Sequence, residues 1–171
     1  MYEVQSDEYT CGPVALRNLF IWMECESCIK QYSIQKLVKL TYANKSVGVT
    51  EQKMDQALHA FAENISIVGK ISARSIHAEL NMMFFKANLA SKAYAAILYF
   101  QPRNQTPAHF VFVELYDPES DTFVIRNING TLKEIEPSIV KADELELCFQ
   151  SELLRGEFLP TWWMFSKVET A

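Results

Sequence analysis

Apolar residues recur at helical spacing in the first half of the chain and at strand spacing in the second. Leu16, Leu19, Phe20 and Met23 stand at i, i+3, i+4 and i+7, one stripe that predicts a helix over Val14 to Glu24. Thr10 is placed to cap it, and Pro13 suits its first turn, where a missing N–H costs nothing. After a polar break at 29–33, Ser33 is placed to cap a short helix striped by Ile34, Leu37 and Val38. Asn44 to Gly48 reads as a loop. Thr50 then caps a helix with Met54, Ala57, Leu58 and Phe61 on one face. Ile65 to Gly69 is a brief β-like run. A further helix is expected over Ala73 to Lys86, carrying Ile76, Leu80, Met83 and Phe84.

From Tyr94 the period changes. Tyr94 to Phe100 is apolar and rich in β-formers, a buried strand. A polar loop with two prolines, Gln101 to Ala108, leads to a strand over His109 to Tyr116. A turn over Asp117 to Asp121 leads to another strand, Thr122 to Asn127. Asn129-Gly130 is a hairpin signal, with Thr131 to Ile135 expected to pair back. Residues 138–149 are ambiguous and lean to helix. Thr161 to Val168 is a last strand, in which Trp162 and Trp163 read as core and active-site wall; alternation sends them to opposite faces, which makes one ring open to a ligand or partner the alternative. The Met82-Met83-Phe84-Phe85 run is wider than one helical stripe and reads as core. Helices first and an antiparallel sheet second is an α+β order. A chain of 171 residues without repeat or linker is one domain, 1–171.

Composition narrows the function. The chain is 49% hydrophobic and 22% charged, which is globular, and a net charge of −5 argues against nucleic-acid and anionic-membrane binding. No apolar run approaches the ~18 residues of a membrane span. Met1-Tyr2-Glu3-Val4 lacks the basic start of a signal peptide, so a cytoplasmic location is expected. Of the cysteines Cys11, Cys25, Cys28 and Cys148, Cys25-x-x-Cys28 has the spacing of a redox pair or half a zinc site, but no second pair completes a zinc site. Free thiols and no metal or other cofactor are expected there.

Cys11 is the chemically pointed residue. It lies at the N-terminus of the first helix, where unpaired N–H groups and the helix dipole favour a thiolate, the nucleophilic form. Gln5 stands six residues upstream, and a side-chain amide can donate to a developing oxyanion. The stretch from Gln5 through Cys11-Gly12-Pro13 resembles the papain-like cysteine peptidases, and within them the C39-like, bacteriocin-processing group. Those proteins carry a Gln six residues before a Cys-Gly-Pro or Cys-Gly-Ala that opens the central helix. The resemblance implies a His opening a later strand and an Asp or Asn closing the next one. His109 and Asn127 occupy those places, and the order Gln, Cys, His, Asn is preserved. The departure is Asn127-Ile128, where C39-like members usually have Asp followed by Pro. His59 and His77, in helical runs, compete with His109, and Asn129 competes with Asn127.

The resemblance implies an α+β papain-like fold and a cysteine-nucleophile hydrolase acting on a peptide or amide. Cys11 would attack the carbonyl and His109 would carry the proton. Asn127 would orient His109 through its side-chain carbonyl, and Gln5 with the Cys11 amide would hold the oxyanion. The partner is a peptide or protein substrate. A glutamine deamidase, a transamidase and a non-catalytic binding protein on the same shell remain alternatives.

Overall fold

The computed structural model describes residues 1–72, 78–101, 108–128, 135–155 and 160–167. The elements are α1 (Cys11–Trp22), α2 (Glu26–Gln31), α3 (Ile34–Leu40), α4 (Glu51–Ala60), β1 (Ser66–Ser72), α5 (Ala78–Leu89), β2 (Tyr94–Phe100), β3 (His109–Asp117), β4 (Thr122–Arg126), β5 (Ser138–Lys141), α6 (Ala142–Arg155) and β6 (Thr161–Ser166). The strands form one sheet in the order β1-β6-β2-β3-β4-β5, with every neighbouring pair antiparallel. This is an α+β fold with the layout expected from the sequence: N-terminal helices, and the helix that carries Cys11 packed on an antiparallel sheet.

Alternation along the central strands divides the core in two. Phe110 and Phe112 of β3, Ile97 of β2 and Trp163 of β6 pack with Leu16, Leu19 and Phe20 of α1. Val111, Val113, Leu98 and Trp162 pack with Phe85 of α5 and Leu145 and Phe149 of α6. Trp162 and Trp163 take opposite faces and both are buried in the core, as the core reading has it, so the alternative of an open ring does not hold. Trp163 Nε1 donates to Asp55 of α4 at 2.7 Å. In the Met82–Phe85 run, Met82 and Phe85 face the core while Met83 and Phe84 are exposed.

Several boundaries differ from expectation. Ser33 and Thr50 do cap their helices, accepting from the Lys36 and Lys53 amides. Thr10 occupies the N-cap of α1 without capping it; its hydroxyl donates to Asp7 O at 3.2 Å instead. Residues expected as the start of a polar break belong to α2, whose single buried residue, Cys28, gave no periodic signal. Cys25 and Cys28 are joined in a disulfide, not the free thiols expected; the one-turn spacing at the start of α2 puts the two side chains on the same side. Residues 138–141, read with a helix, form β5 against β4, and the helix begins only at Ala142. The expected hairpin at Asn129-Gly130 lies outside the described residues, as do most of Thr131 to Ile135 and the start of the Ala73 helix.

Candidate active site

α1 begins at Cys11 itself, so its thiol sits in the first turn. Gly12 follows because the chain is crowded there. A Cβ at Gly12 would lie 2.8 Å from Val49 Cγ2, in the loop that runs into α4. The tip of α1 is thus wedged between that loop and the start of β3.

The Cys11 sulfur lies against the Phe110 N–H and therefore touches the peptide unit that joins His109 to Phe110. That end of β3 is open because its ladder with β4 begins only at Phe112, opposite Arg126. Asn127 then turns away with φ +60°, a left-handed conformation that Asn tolerates better than most residues. His109 stands in phase with Val111 and Val113 rather than with the residues facing α1. The thiol thus meets the main chain of β3 at the His109–Phe110 peptide, and thiol and imidazole are not hydrogen-bonded to each other.

His109 Nε2 is 2.6 Å from the Asn127 main-chain carbonyl. A carbonyl only accepts, so Nε2 carries the proton and Nδ1 of the neutral ring is left as the base. The contact expected from the Asn127 side chain to His109 is not made; the ring meets the Asn127 main-chain carbonyl instead. The Asn127 side chain points the other way: Oδ1 accepts from the Gln5 N–H at 3.1 Å, and Nδ2 donates to Glu3 O at 3.2 Å. The positive φ sets this division, turning the carbonyl of Asn127 toward His109 and its side chain toward the N-terminal segment.

Gln5 is fully buried. Its Nε2 donates to Asp7 O at 2.6 Å, and that carbonyl also accepts from Thr10 N and Thr10 Oγ1. One of the two Nε2 hydrogens remains uncommitted, while Oε1 is buried with no partner among the described residues.

Electrostatics depart from the simple helix-terminus expectation. Burial pushes the Cys11 thiol above its ordinary value, more than the amides of Phe110, Gly12 and Cys11 pull it down. Burial likewise holds His109 below its ordinary value, against a smaller opposite effect of the Asn127 carbonyl. At rest the pair is a neutral thiol and a neutral imidazole, not a thiolate–imidazolium pair.

Of the competitors, His59 is exposed on α4 with Nδ1 2.7 Å from Asp55 O, within its own helix. His77 and Asn129 lie outside the described residues. One contributor escaped the sequence reading. Asn18, fully buried, holds Glu3 on both sides, accepting from its N–H at 2.6 Å and donating to its carbonyl at 3.2 Å. The available signal was a short polar residue directly before Leu19 in a helix whose only charged residue is Arg17.

Among the described residues no group of His, Cys, Asp and Glu is placed to hold a metal ion, and no helix is long and apolar enough to cross a membrane. No protein-family model and no curated protein sequence matches the chain. Among solved structures it is similar to the Pseudomonas avirulence protein AvrPphB, at 12% identity over 96% of this chain and 97% of that one, with a TM-score of 0.48.

Proposed function

We propose that this protein is a papain-like cysteine hydrolase of C39-like type that acts on a peptide or amide bond. The observation that carries the reading is the Cys11 sulfur resting on the His109–Phe110 peptide while Asn127 O fixes the His109 tautomer. In this reading His109 Nδ1 takes the thiol proton as Cys11 Sγ attacks the carbonyl carbon. The C=O bond opens to an oxyanion held by the Cys11 N–H and the uncommitted Gln5 Nε2 hydrogen. The C–N bond then breaks, and the leaving amine takes the proton from His109. Water, deprotonated by the same ring, releases the acid from the thioester and restores the thiol. Because the resting groups are neutral and not bonded to each other, the reading requires His109 Nδ1 to reach Cys11 Sγ, and the proton to move, when substrate engages. The same steps on a Gln side chain would give deamidation, and an amine in place of water would give transamidation.

A non-catalytic binding protein is the second reading. It is favoured by the neutral pair, by the lack of a Cys11–His109 hydrogen bond and by the turn of Gln5 toward Asp7 O. Incubation with a peptide library derived from a proteome separates the two. New peptide termini would report hydrolysis, and Gln-to-Glu conversion would report deamidation, both lost in Cys11→Ala and in His109→Ala. Turnover that survives Cys11→Ala would remove the catalytic reading, and no turnover with wild type would favour the binding protein.

A further inference from the structure

Asn127 is bonded on three sides to parts of the chain far apart in sequence. Its main-chain carbonyl accepts from His109 Nε2. Its Oδ1 accepts from the Gln5 N–H, and its Nδ2 donates to Glu3 O. The side chain thereby acts as a strand partner for Glu3 and Gln5, offering one acceptor and one donor. From the opposite side Asn18 takes both the N–H and the carbonyl of Glu3. Arg17 pairs with the Glu3 carboxylate at 3.6 Å, and the Tyr2 ring lies under the Arg126 guanidinium at 3.9 Å. The segment 2–5 has no strand of its own, so these side chains do the work of a ladder. What they hold in place is Gln5, whose Oε1 is buried without a partner and which has reason to leave its position.

We propose that the Asn127 side chain, backed by Asn18, is a positioning device for Gln5, separate from the main-chain contact by which Asn127 sets the tautomer of His109. One residue then holds both the oxyanion donor and the base, each through different atoms. The proposal rests on the catalytic reading above, with Gln5 as oxyanion donor. It reassigns the Asn127 side chain from the imidazole to the oxyanion site.

The test uses Asn127→Gly, which accepts φ +60° and keeps the carbonyl while deleting the clamp. N-acetylglycinal, a minimal peptide aldehyde, is the probe. Its addition is balanced and reversible: Sγ bonds to the aldehyde carbon, the C=O π bond opens, and the thiol proton passes through His109 to the new oxygen. That oxygen occupies the oxyanion position, whereas alkylation by iodoacetamide needs no such site.

Asn127→Gly should weaken the aldehyde adduct by about tenfold or more, as Gln5→Ala should, with little further loss in the double variant. The pH profile of Cys11 alkylation should stay in place. Hydrogen exchange at the Gln5 amide should speed up. Asn127→Asp, which keeps the acceptor for Gln5 N–H but sets an oxygen against Glu3 O, should fall between Asn127→Gly and wild type. Unchanged Gln5 exchange in Asn127→Gly would overturn the clamp itself, whatever the enzyme does. An alkylation profile that shifts in Asn127→Gly would return the side chain to His109 and overturn the separation of roles. A wild type that forms no adduct while Gln5 exchange still responds would sink the catalytic reading and leave the clamp merely architectural, which overturns positioning as well.

Discussion

At the scale of single residues, the site is set by burial more than by the helix terminus. Cys11 and His109 are each 7% exposed, and loss of hydration favours the neutral form of both. Alkylation of resting Cys11 is therefore expected to be slow at neutral pH and to rise only on the alkaline side of about 8.5, the ordinary thiol value. Mass-spectrometric labelling across pH checks this, and a rate that plateaus near neutrality would reveal an ion pair instead. Cys11→Ala removes one buried sulfur and should cost about 1 kcal/mol or less in urea unfolding while abolishing any turnover. Gly12 is required for close approach rather than for a special φ. Gly12→Ala drives a methyl into the side chain of Val49, whose Cγ2 and Cβ lie 2.8 and 3.1 Å away, and should destabilise by about 1–3 kcal/mol. Val49→Ala should relieve much of that in the double variant, and a purely additive double-mutant cycle would show that the crowding is not the cause.

At the scale of elements, α1 is the piece on which the others are assembled. It packs on β3 through one face and on α2 and α3 through another. Beside the apolar packing of Cys28 on α1, one side chain bonds the end of α2 to it. Arg17 donates through Nη1 to the carbonyls of Ile29 and Tyr32, the latter at 2.8 Å, at the C-terminal end of α2 where helix carbonyls lack partners. α2 is too short to persist alone. Arg17→Met keeps the aliphatic stem but leaves two part-buried carbonyls unsatisfied and removes the contact with Glu3. A loss of about 1–3 kcal/mol is expected, with hydrogen exchange in α2 rising before exchange in β2 or β3. Equal acceleration everywhere would mean that Arg17 acts on global stability and not on the α1–α2 join.

At the scale of the whole molecule, the buried His109 links the site to acid stability. Its folded-state value lies below the ordinary one, so the native state holds fewer protons than the unfolded chain once pH drops below about 6.5. Stability is fully present above that pH. It falls as pH falls toward the depressed folded value and levels off beneath it. His109→Gln deletes the titrating group and should flatten this part of the profile relative to wild type. Thermal unfolding of the two proteins between mildly alkaline and mildly acidic pH makes the comparison. Parallel profiles would mean that the imidazole takes up its proton as readily in the folded state as in the unfolded one.

The sequence by itself determined what depends on local periodicity and on steric limits. The stripe of Leu16, Leu19 and Phe20, the caps at Ser33 and Thr50 and the β-rich runs at Tyr94 and His109 all specify their elements through contacts a few residues apart. The spacing of Gln5 before Cys11-Gly12-Pro13, through the family resemblance it carries, brought Gln5, Cys11, His109 and Asn127 to notice as the site's candidates. Tertiary structure alone decided which atoms of those residues face one another. Asn127 meets His109 by its carbonyl because its left-handed backbone turns the side chain to Glu3 and Gln5, partners more than a hundred residues away in sequence. Asn18 entered the site because the N-terminal segment has no strand beside it to satisfy the amide and carbonyl of Glu3. The protonation of Cys11 and His109 was likewise beyond the local pattern. Desolvation is set by every element packed around a group, and at this site it outweighs the amides at the start of α1 that the sequence placed there.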